Sequence, residues 1–513
     1  MTADRIDAAA TLDPAILVPG ALDAGVFRNL PVSVLGFARS GIALARFFVD
    51  AGAAVTVYDA RPAGELEGAI AALDGRKVRL LLGPEVEPGE ALRDAALVAT
   101  SPSINPDYPT TEPRLRRALA DVVARRRAGD AAAPAVISEV DLFLRLCPAP
   151  TVGITGTKGK TTTSALTHAL LATDAAHPAV LGGNIGVPLV ERLPDLTPRH
   201  RVVLELSELQ LPTLSRGTTV AVYTNVTADH LDRHGSLEAY RAVKRRLAEL
   251  VDPAGAIVLN ADDPVVSGYD RGAAARIVRY RRGELPPGGL GVAHGWIVAD
   301  DIAPIAAAGR AGGHGGRIMP VDELGIPGAH NVSNALAASA AALLFGIEPE
   351  AIRRAAATFT GVEHRLERVA EVDGVRFVND SQGTQPDAVI AALRAFEPPI
   401  VLIAGGRDKG VDLAELATVV AERAAAAVLI GESGPALERL FRGAGLATTE
   451  RSASLEDAVE AADALAREAR RATHATATVL LSPAAASFDM FTDYEARGRA
   501  FKAAVRRLAG ESR

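Results

Sequence analysis

The sequence predicts an α/β protein of three domains: an N-terminal Rossmann-like domain, a central P-loop ATPase-type domain with a mainly parallel sheet, and a C-terminal Rossmann-like domain. Three observations carry that expectation. Short apolar runs alternate with helical patterns along most of the chain, the signature of βαβ units. Glycine-rich turns follow two of those runs, at Gly36 to Gly41 and at Gly156 to Lys160. Polar residues gather just past the runs, where open α/β sheets hold their ligands. A chain of 513 residues has room for about three domains of roughly 100–200 residues. Their expected bounds are 1–138, 139–361 and 362–513, with 1–29 as a poorly determined extension.

Composition narrows the function. Hydrophobic residues make up 48% and charged residues 23%, as in soluble globular proteins. Aromatics are only 4%, so the cores must be built from Ala, Val, Leu and Ile. A net charge of −7 argues against nucleic-acid binding. The single cysteine, Cys147, excludes an intramolecular disulfide, fits a reducing compartment and reads as a small core residue. Met1 to Asp7 lead into no apolar run, unlike a secretory signal. The most apolar stretch, 335–345, falls short of the ~20 residues that span a bilayer. A cytoplasmic protein without a membrane span is expected.

In the first domain, strands at 32–35 and 54–58 flank a helix at 40–51. Between them runs Gly36-Phe37-Ala38-Arg39-Ser40-Gly41, a turn like the dinucleotide fingerprint, with Asp59 about 20 residues on. Ala38 stands where a second glycine would admit a pyrophosphate. The turn therefore points to another nucleotide-linked ligand before a nicotinamide cofactor, with a purely structural turn as the alternative. Arg61 is placed to serve a phosphate or to solvate the sheet edge. A strand at 96–99 runs into Ser101-Pro102-Ser103, and Arg125-Arg126-Arg127 read as a solvated helix end.

The central domain opens with a buried strand at 151–154. Gly156-Thr157-Lys158-Gly159-Lys160-Thr161-Thr162 follows, then a helix at 164–172. Strand, glycine loop and helix start cradle phosphates, because backbone N–H groups and the positive helix end face the anion. Lys160 is suited to the outer phosphates and Thr161 to Mg²⁺. The P-loop pattern wants its first glycine where Ile154 stands, and Gly153 is one place off. Asn184 lies in the loop Gly182-Gly183-Asn184-Ile185-Gly186. Glu205 sits inside an apolar strand at 201–206, where a charge is costly unless paired or metal-bound, so it is a candidate Mg²⁺ ligand. A strand at 220–224 ends in Asn225-Val226-Thr227-Ala228-Asp229-His230, bringing His230 to the P-loop edge of a parallel sheet. Helix 236–250 has Leu237, Tyr240, Val243, Leu247 and Leu250 as its apolar stripe; Lys244, beside it, reads by composition as solvated. Residues 283–320 are Gly/Pro-rich, loop-like or β-like, and Asn331 and Asn334 share a helix face.

Beyond 361 the alternation is clean. Strands at 375–378, 400–404, 427–430 and 478–481 alternate with helices near 386–396, 412–425, 433–443, 455–471 and 491–509, predicting a mainly parallel sheet. Polar clusters follow the strands at 379–384, at 405–409 and at Ser482, Pro483 and Ser487.

Together these motifs resemble the Mur ligases, the peptide synthetases of cell-wall precursor assembly. The resemblance spans about 30–510. Its carriers occur in order: Thr155 to Thr162, Gly182 to Gly186, Glu205-Leu206-Ser207, Asn225-Val226-Thr227 with His230, Asn260 to Asp263, His330-Asn331 with Asn334, His364-Arg365, Asn379-Asp380-Ser381, and Gly405 to Lys409. Leu481 to Phe491 with Tyr494 to Gly498 is most similar to the glutamate-adding member. The resemblance implies ATP-dependent joining of D-glutamate to UDP-N-acetylmuramoyl-L-alanine through an acyl phosphate, with ATP and Mg²⁺ as cofactors; a monomer is expected. It implies that Arg39, Ser40, Asp59, Arg61, Asn184 and Ser207 hold the UDP substrate. Gly156, Thr157, Lys158, Gly159, Lys160, Thr161, Thr162, Asn331, Asn334, Arg365 and Asp380 would hold ATP. Thr161, Glu205, His230 and a carbamylated Lys244 would hold one or two Mg²⁺ ions, with Lys160, His230 and Lys244 catalytic. Thr384, Lys409, Ser487, Phe488 and Tyr494 would line the glutamate pocket. Two departures border the reaction centre: Gln382-Gly383-Thr384-Gln385 replaces the usual Lys-Ala-Thr-Asn, and Glu208-Leu209-Gln210 follows Ser207. L-Glutamate as substrate, and a P-loop regulatory ATPase without ligase activity, are the alternatives.

Overall fold

The computed structural model describes residues 11–227, 236–309, 314–326, 328–408 and 412–510. The chain divides into two compact units, Met1–Phe359 and Thr360–Arg513.

The first unit carries two sheets. β1 (Pro31–Leu35), β2 (Ala54–Asp59), β3 (Arg79–Leu82), β4 (Leu97–Thr100) and β5 (Ala135–Ser138) form an all-parallel sheet in the order β3-β2-β1-β4-β5. The chain reverses its direction of travel across the sheet beside β1, the switch point where such sheets open a ligand crevice. Residues 11–29, expected as an extension, instead pack down. Leu17 and Phe27 are fully buried. Phe27 meets Phe47 and Phe48 edge-on at 5.9 and 5.3 Å, a burial worth about 1.5–3 kcal/mol for each large side chain.

The second sheet contains β6 (Thr151–Thr155), β7 (Ala179–Gly183), β8 (Arg201–Glu205), β9 (Val220–Tyr223), β10 (Ala256–Asn260), β11 (Arg276–Tyr280), β12 (Leu290–Ala293), β13 (Trp296–Ile302) and β14 (His314–Pro320). Their order is β14-β13-β12-β11-β10-β9-β6-β8-β7. It is parallel from β7 to β12, and β12–β14 form an antiparallel meander, so the Gly/Pro-rich stretch is β structure. β6 lies inside the sheet between β8 and β9, both fully buried strands, which explains its unbroken apolar run. One face of this sheet shares a continuous core with the first sheet, through Leu189, Val202, Leu204 and Tyr223. The other face is covered by helices Lys160–Leu171 and Ala329–Leu344, and the buried alanines of the second allow close approach.

The second unit holds β15 (Glu367–Val372), β16 (Val375–Asn379), β17 (Ile400–Gly405), β18 (Ala424–Ile430), β19 (Thr449–Arg451) and β20 (Ala477–Leu481), ordered β15-β16-β20-β17-β18-β19. All pairs are parallel except β15 with β16. No helix among the described residues is long and apolar enough to cross a membrane.

Candidate active site

The backbone of the loop after β6 is tightly constrained. Gly156 sits at φ +148° and a Cβ there would lie 2.0 Å from the Thr224 hydroxyl; Gly159 sits at φ +83° with Asn334 Oδ1 2.5 Å from its own missing Cβ. Only glycine tolerates both the angles and the crowding. Gly153, one place off the P-loop pattern, lies within β6, where a Cβ would meet Thr218 at 2.8 Å. Packing between strands fixes it, and Gly156 serves the loop.

Neighbouring strand ends hold the loop open. The Lys158 amide donates to Asn225 Oδ1 and the Asn225 amide group returns a bond to the Lys158 carbonyl, each at 2.9 Å. The Thr224 hydroxyl donates to that same carbonyl at 2.7 Å. Thr157 Oγ1 is 3.0 Å from the Tyr240 hydroxyl and accepts from the Thr227 amide at 3.1 Å. Lys160 Nζ donates to the carbonyls of Gly156 and Thr157 at 3.1 and 2.9 Å. The helix Lys160–Leu171 starts at Gly159 with no side-chain cap, so its first N–H groups form an anion site. Thr161 and Thr162 lie in that first turn, and Thr161 is buried.

Glu205, at the end of β8, is 2% exposed. Asn184 Nδ2 donates to its Oε1 at 2.8 Å, while Oε2 is buried with no hydrogen-bond partner among the described residues. An orphaned buried carboxylate oxygen is costly, and carboxylate and hydroxyl oxygens such as those of Glu205 and Thr161 are the donor type that suits Mg²⁺. Ser207 is buried, and its amide and hydroxyl both donate to Gln210 Oε1, at 2.9 and 3.0 Å. One departure from the family pattern thus engages Ser207 directly.

Lys244 corrects the reading from composition. It is fully buried, not solvated. Its ammonium lies 3.1 Å from the Gly156 carbonyl and 3.4 Å from Thr155 Oγ1, and 5.5 Å from the centre of the Tyr240 ring. Tyr240, Lys244 and Leu247 are spaced at helical intervals and face the sheet together. His230, expected at this edge, lies outside the described residues.

A cavity of about 390 Å³ opens beside the loop, lined by Lys158, Gly159, Asn225, Asn260, Asp262, Asp263, Arg282, His330, Ser333 and Asn334. Asn334 donates to Asn331 Oδ1 at 3.1 Å and accepts from Thr163 at 3.2 Å, tying one helix start to the other. Asn225, Tyr240, Asn260 and Arg282 were not singled out as ligand residues. The signal for Asn225 was its position, one residue past an apolar strand.

The first sheet has its own cavity, about 330 Å³, at the carboxyl ends of β1, β2 and β4. Gly36, Tyr58, Asp59, Ser103, Thr110, Thr111, Glu112 and Leu209 line it. Asp59 accepts from the Phe37 amide at 2.8 Å and from Arg61 Nε and Nη2 at 3.0 and 2.8 Å. Burial works against its charge, but the hydrogen bonds from Arg61 and Phe37 outweigh it and hold the carboxyl below its usual range. Arg39 and Ser40 do not line this cavity; Arg39 donates to the Gly186 carbonyl at 3.2 Å, bridging toward the Asn184 loop.

The chain is 40% identical over 488 residues to a UDP-N-acetylmuramoylalanine–D-glutamate ligase of Symbiobacterium thermophilum, covering 95% of this chain and 100% of that one. A ligase of the same name from Pelotomaculum thermopropionicum is 39% identical over 484 residues, covering 93% and 98%. Residues 154–342 match the Mur ligase middle domain and 364–485 the Mur ligase glutamate ligase domain. The chain belongs to the Mur ligase family. A crystal structure of a UDP-N-acetylmuramate–alanine ligase from Thermotoga maritima shares the fold, at 18% identity and a TM-score of 0.51, covering 94% of this chain and all of that one.

The second unit of this Mur ligase gathers its polar residues on the same kind of strand edge. Asp380, just past β16, accepts from Ser482 at 2.6 Å and from the Leu366 amide at 3.1 Å. Burial pushes its carboxyl up to about 6, against those bonds and the nearby Arg365 charge. Arg497 is buried and donates to the Ser381 hydroxyl and carbonyl at 3.0 and 2.9 Å; burial lowers its guanidinium to about 10. Ser381 donates to the Tyr494 carbonyl at 2.7 Å. Thr384 follows in the same loop, its amide bonded to the Gln382 carbonyl at 2.8 Å. Ser487 is buried, and Phe488 is 65% exposed. Lys409 lies outside the described residues. Arg407, part of the Gly405 to Lys409 motif but given no role from the sequence, pairs across to Ala486 at this edge. Cys147 is buried and its thiol pushed up to about 11 by burial, as suits a core residue and not a nucleophile.

Proposed function

We propose that this Mur ligase joins D-glutamate to UDP-N-acetylmuramoyl-L-alanine at the expense of ATP, in the cytoplasm, as a monomer. The observation that carries the reading is the P-loop edge of the second sheet, where Lys160 and the uncapped helix start follow β6, and Glu205, with a buried Oε2 that has no partner among the described residues, ends the neighbouring β8. The shared name of relatives that match the chain along nearly its whole length supports the choice of substrates.

The chemistry follows from these groups. A carboxylate is a poor acyl donor. The γ-phosphoryl group of ATP passes to the alanyl carboxylate, ADP leaves, and an acyl phosphate forms. The amine of glutamate attacks the carbonyl carbon, phosphate leaves, and the attacking nitrogen gives up its surplus proton to solvent. Lys160 and the helix start at Gly159 balance charge spread over the phosphoryl oxygens. Asn331 and Asn334, beside the cavity of the first unit, receive the nucleoside end of ATP; in the second unit, Arg365 and Asp380 are the residues assigned to ATP. Glu205 and Thr161 would hold Mg²⁺, which supplies Lewis-acid charge neutralisation when bound. His230, and Lys244 if carbamylated, would hold a second ion and add to the same charge neutralisation. Asp59 and its cavity receive the UDP end, with Asn184 and Ser207 nearer the alanyl end. Thr384, Lys409, Ser487, Phe488 and Tyr494 receive glutamate.

Separate incubations of UDP-N-acetylmuramoyl-L-alanine with D- and L-glutamate test the substrate. Incorporation of the D form alone is expected. Incorporation of only the L form overturns the stereochemistry while leaving the ligase intact.

A further inference from the structure

Lys502 lies outside every motif read from the sequence, on the helix Tyr494–Leu508. Its ammonium is 2.7 Å from Oε1 of both Glu363 and Glu367, and its side chain is only 16% exposed. These two glutamates bracket Arg365. The turn between them is strained: His364 stands at φ +63° and Leu366 at φ +45°, the left-handed region that side chains other than glycine rarely adopt. Such backbone persists only where its surroundings over-determine it, and it clusters at functional sites.

The surroundings here are explicit. Glu367 Oε2 accepts from the His364 amide at 2.8 Å and from Asn379 Nδ2 at 3.0 Å. Asn379 Nδ2 is also 2.9 Å from His364 Nδ1. The Leu366 amide donates to Asp380, and the Gln382 amide to the His364 carbonyl at 3.0 Å. His364 fits only because residue 498 is glycine; a Cβ there would lie 2.2 Å from Nδ1. Every one of these contacts runs through His364, Leu366 or Glu367. Arg365 is itself exposed and sits between these residues in the turn, so the backbone they fix also sets where Arg365 stands. Glu363, His364 and Glu367 lie close enough to share a metal ion, and the Lys502 ammonium supplies the positive charge among them.

We infer that Lys502 is a positioning residue: by neutralising Glu363 and Glu367 together, it holds the left-handed turn that presents Arg365 beside Asp380. An isolated exposed ion pair contributes little. Here one ammonium serves two carboxylates, and its loss leaves two like charges flanking a strained turn. The inference rests on the reading that Arg365 serves ATP.

Steady-state kinetics on the full chain test it. Lys502→Met is expected to raise KM for ATP about five- to tenfold, with kcat and KM for the UDP substrate within about twofold. Lys502→Arg, which keeps the charge, restores KM for ATP. In an Arg365→Ala background, Lys502→Met adds nothing further, because the group it positions is gone. A wild-type KM for ATP in Lys502→Met overturns the inference. So does an equal loss of kcat at unchanged KM values in step with a lower unfolding temperature, the mark of a merely structural residue. If Lys502→Met does not fold, Glu363→Gln, which alters only the exposed arm, is expected to raise KM for ATP about two- to threefold, and a wild-type value there overturns the inference equally. Arg365→Ala separates the two levels: an unchanged KM for ATP in that variant defeats the ATP reading of the turn, whereas a raised KM there beside a normal Lys502→Met defeats only the role of Lys502.

Discussion

The two glycine-rich turns of the first unit share a plan and differ in what fills them. Each follows an interior parallel strand and opens a helix. In the turn after β1, the Phe37 amide is bonded to the Asp59 carboxylate, and a Cβ on Gly41 would lie 1.8 Å from the Gly36 carbonyl oxygen. The protein's own carboxylate occupies that amide, and the helix is pressed against the turn. In the loop after β6, the helix start has no side-chain cap, a lysine lies over the loop carbonyls, and strand-end side chains brace the outside. The first turn is built to disfavour a second anion near Phe37; the second is built to receive one. Glycine spacing alone does not separate them, because the deciding groups, Asp59 and Asn225, come from other strands.

The contrast is sharpest at the lysine. Lys160→Ala is expected to lower kcat for ADP release by about 10²–10³-fold, with the unfolding temperature unchanged. Substantial retained turnover would dissolve the distinction between the turns. Gly41→Ala tests the other side. The close approach to Gly36 leaves no room for a methyl, so a loss of about 3 kcal/mol in unfolding free energy is expected, read by denaturant titration. Gly68, with nothing within 4 Å of its missing Cβ, is the control.

A related contrast separates the strand-end aspartates of the first and third sheets. Asp59, chelated by Arg61, is held below the usual carboxylate range, whereas burial raises Asp380 from 3.8 to about 6. Between about pH 4 and 6 the folded protein keeps a proton on Asp380 that the unfolded chain has lost, so this group makes stability fall as pH rises through that window. Asp380→Asn should flatten that part of the stability–pH curve by about 2–3 kcal/mol, measured by chemical denaturation at each pH. An unchanged curve would place the titration elsewhere. The smallest effect is expected at Asp59→Asn: about a tenfold rise in KM for the UDP substrate, with KM for ATP unchanged.

Most of the architecture was legible in the sequence because parallel strands buried on both faces leave unbroken apolar runs, as at 151–154 and 400–404. β15 escaped notice because it is a half-buried edge strand whose charged residues, Glu367, Arg368 and Glu371, break the run. Residues 11–29 looked structureless because their order comes from Phe27 docking between Phe47 and Phe48, a tertiary contact with no local period. Lys244 was misread although its spacing from Tyr240 and Leu247 placed it on the buried face; its charge argued for solvent, and the Gly156 carbonyl that accommodates it lies 88 residues away. The candidate site was legible where a motif is contiguous, as from Gly156 to Thr162. Asn225, Arg407 and Arg497 lay within recognised motifs but were given no role there, because their roles depend on separate strand ends.

The central claim, that the loop after β6 is the phosphoryl-donor site of a ligase, is tested most directly by ADP release from ATP. UDP-N-acetylmuramoyl-L-alanine and D-glutamate are supplied singly and together. The account predicts sustained release only when both are present. Equal release with neither substrate would contradict it and mark the loop as that of an uncoupled ATPase.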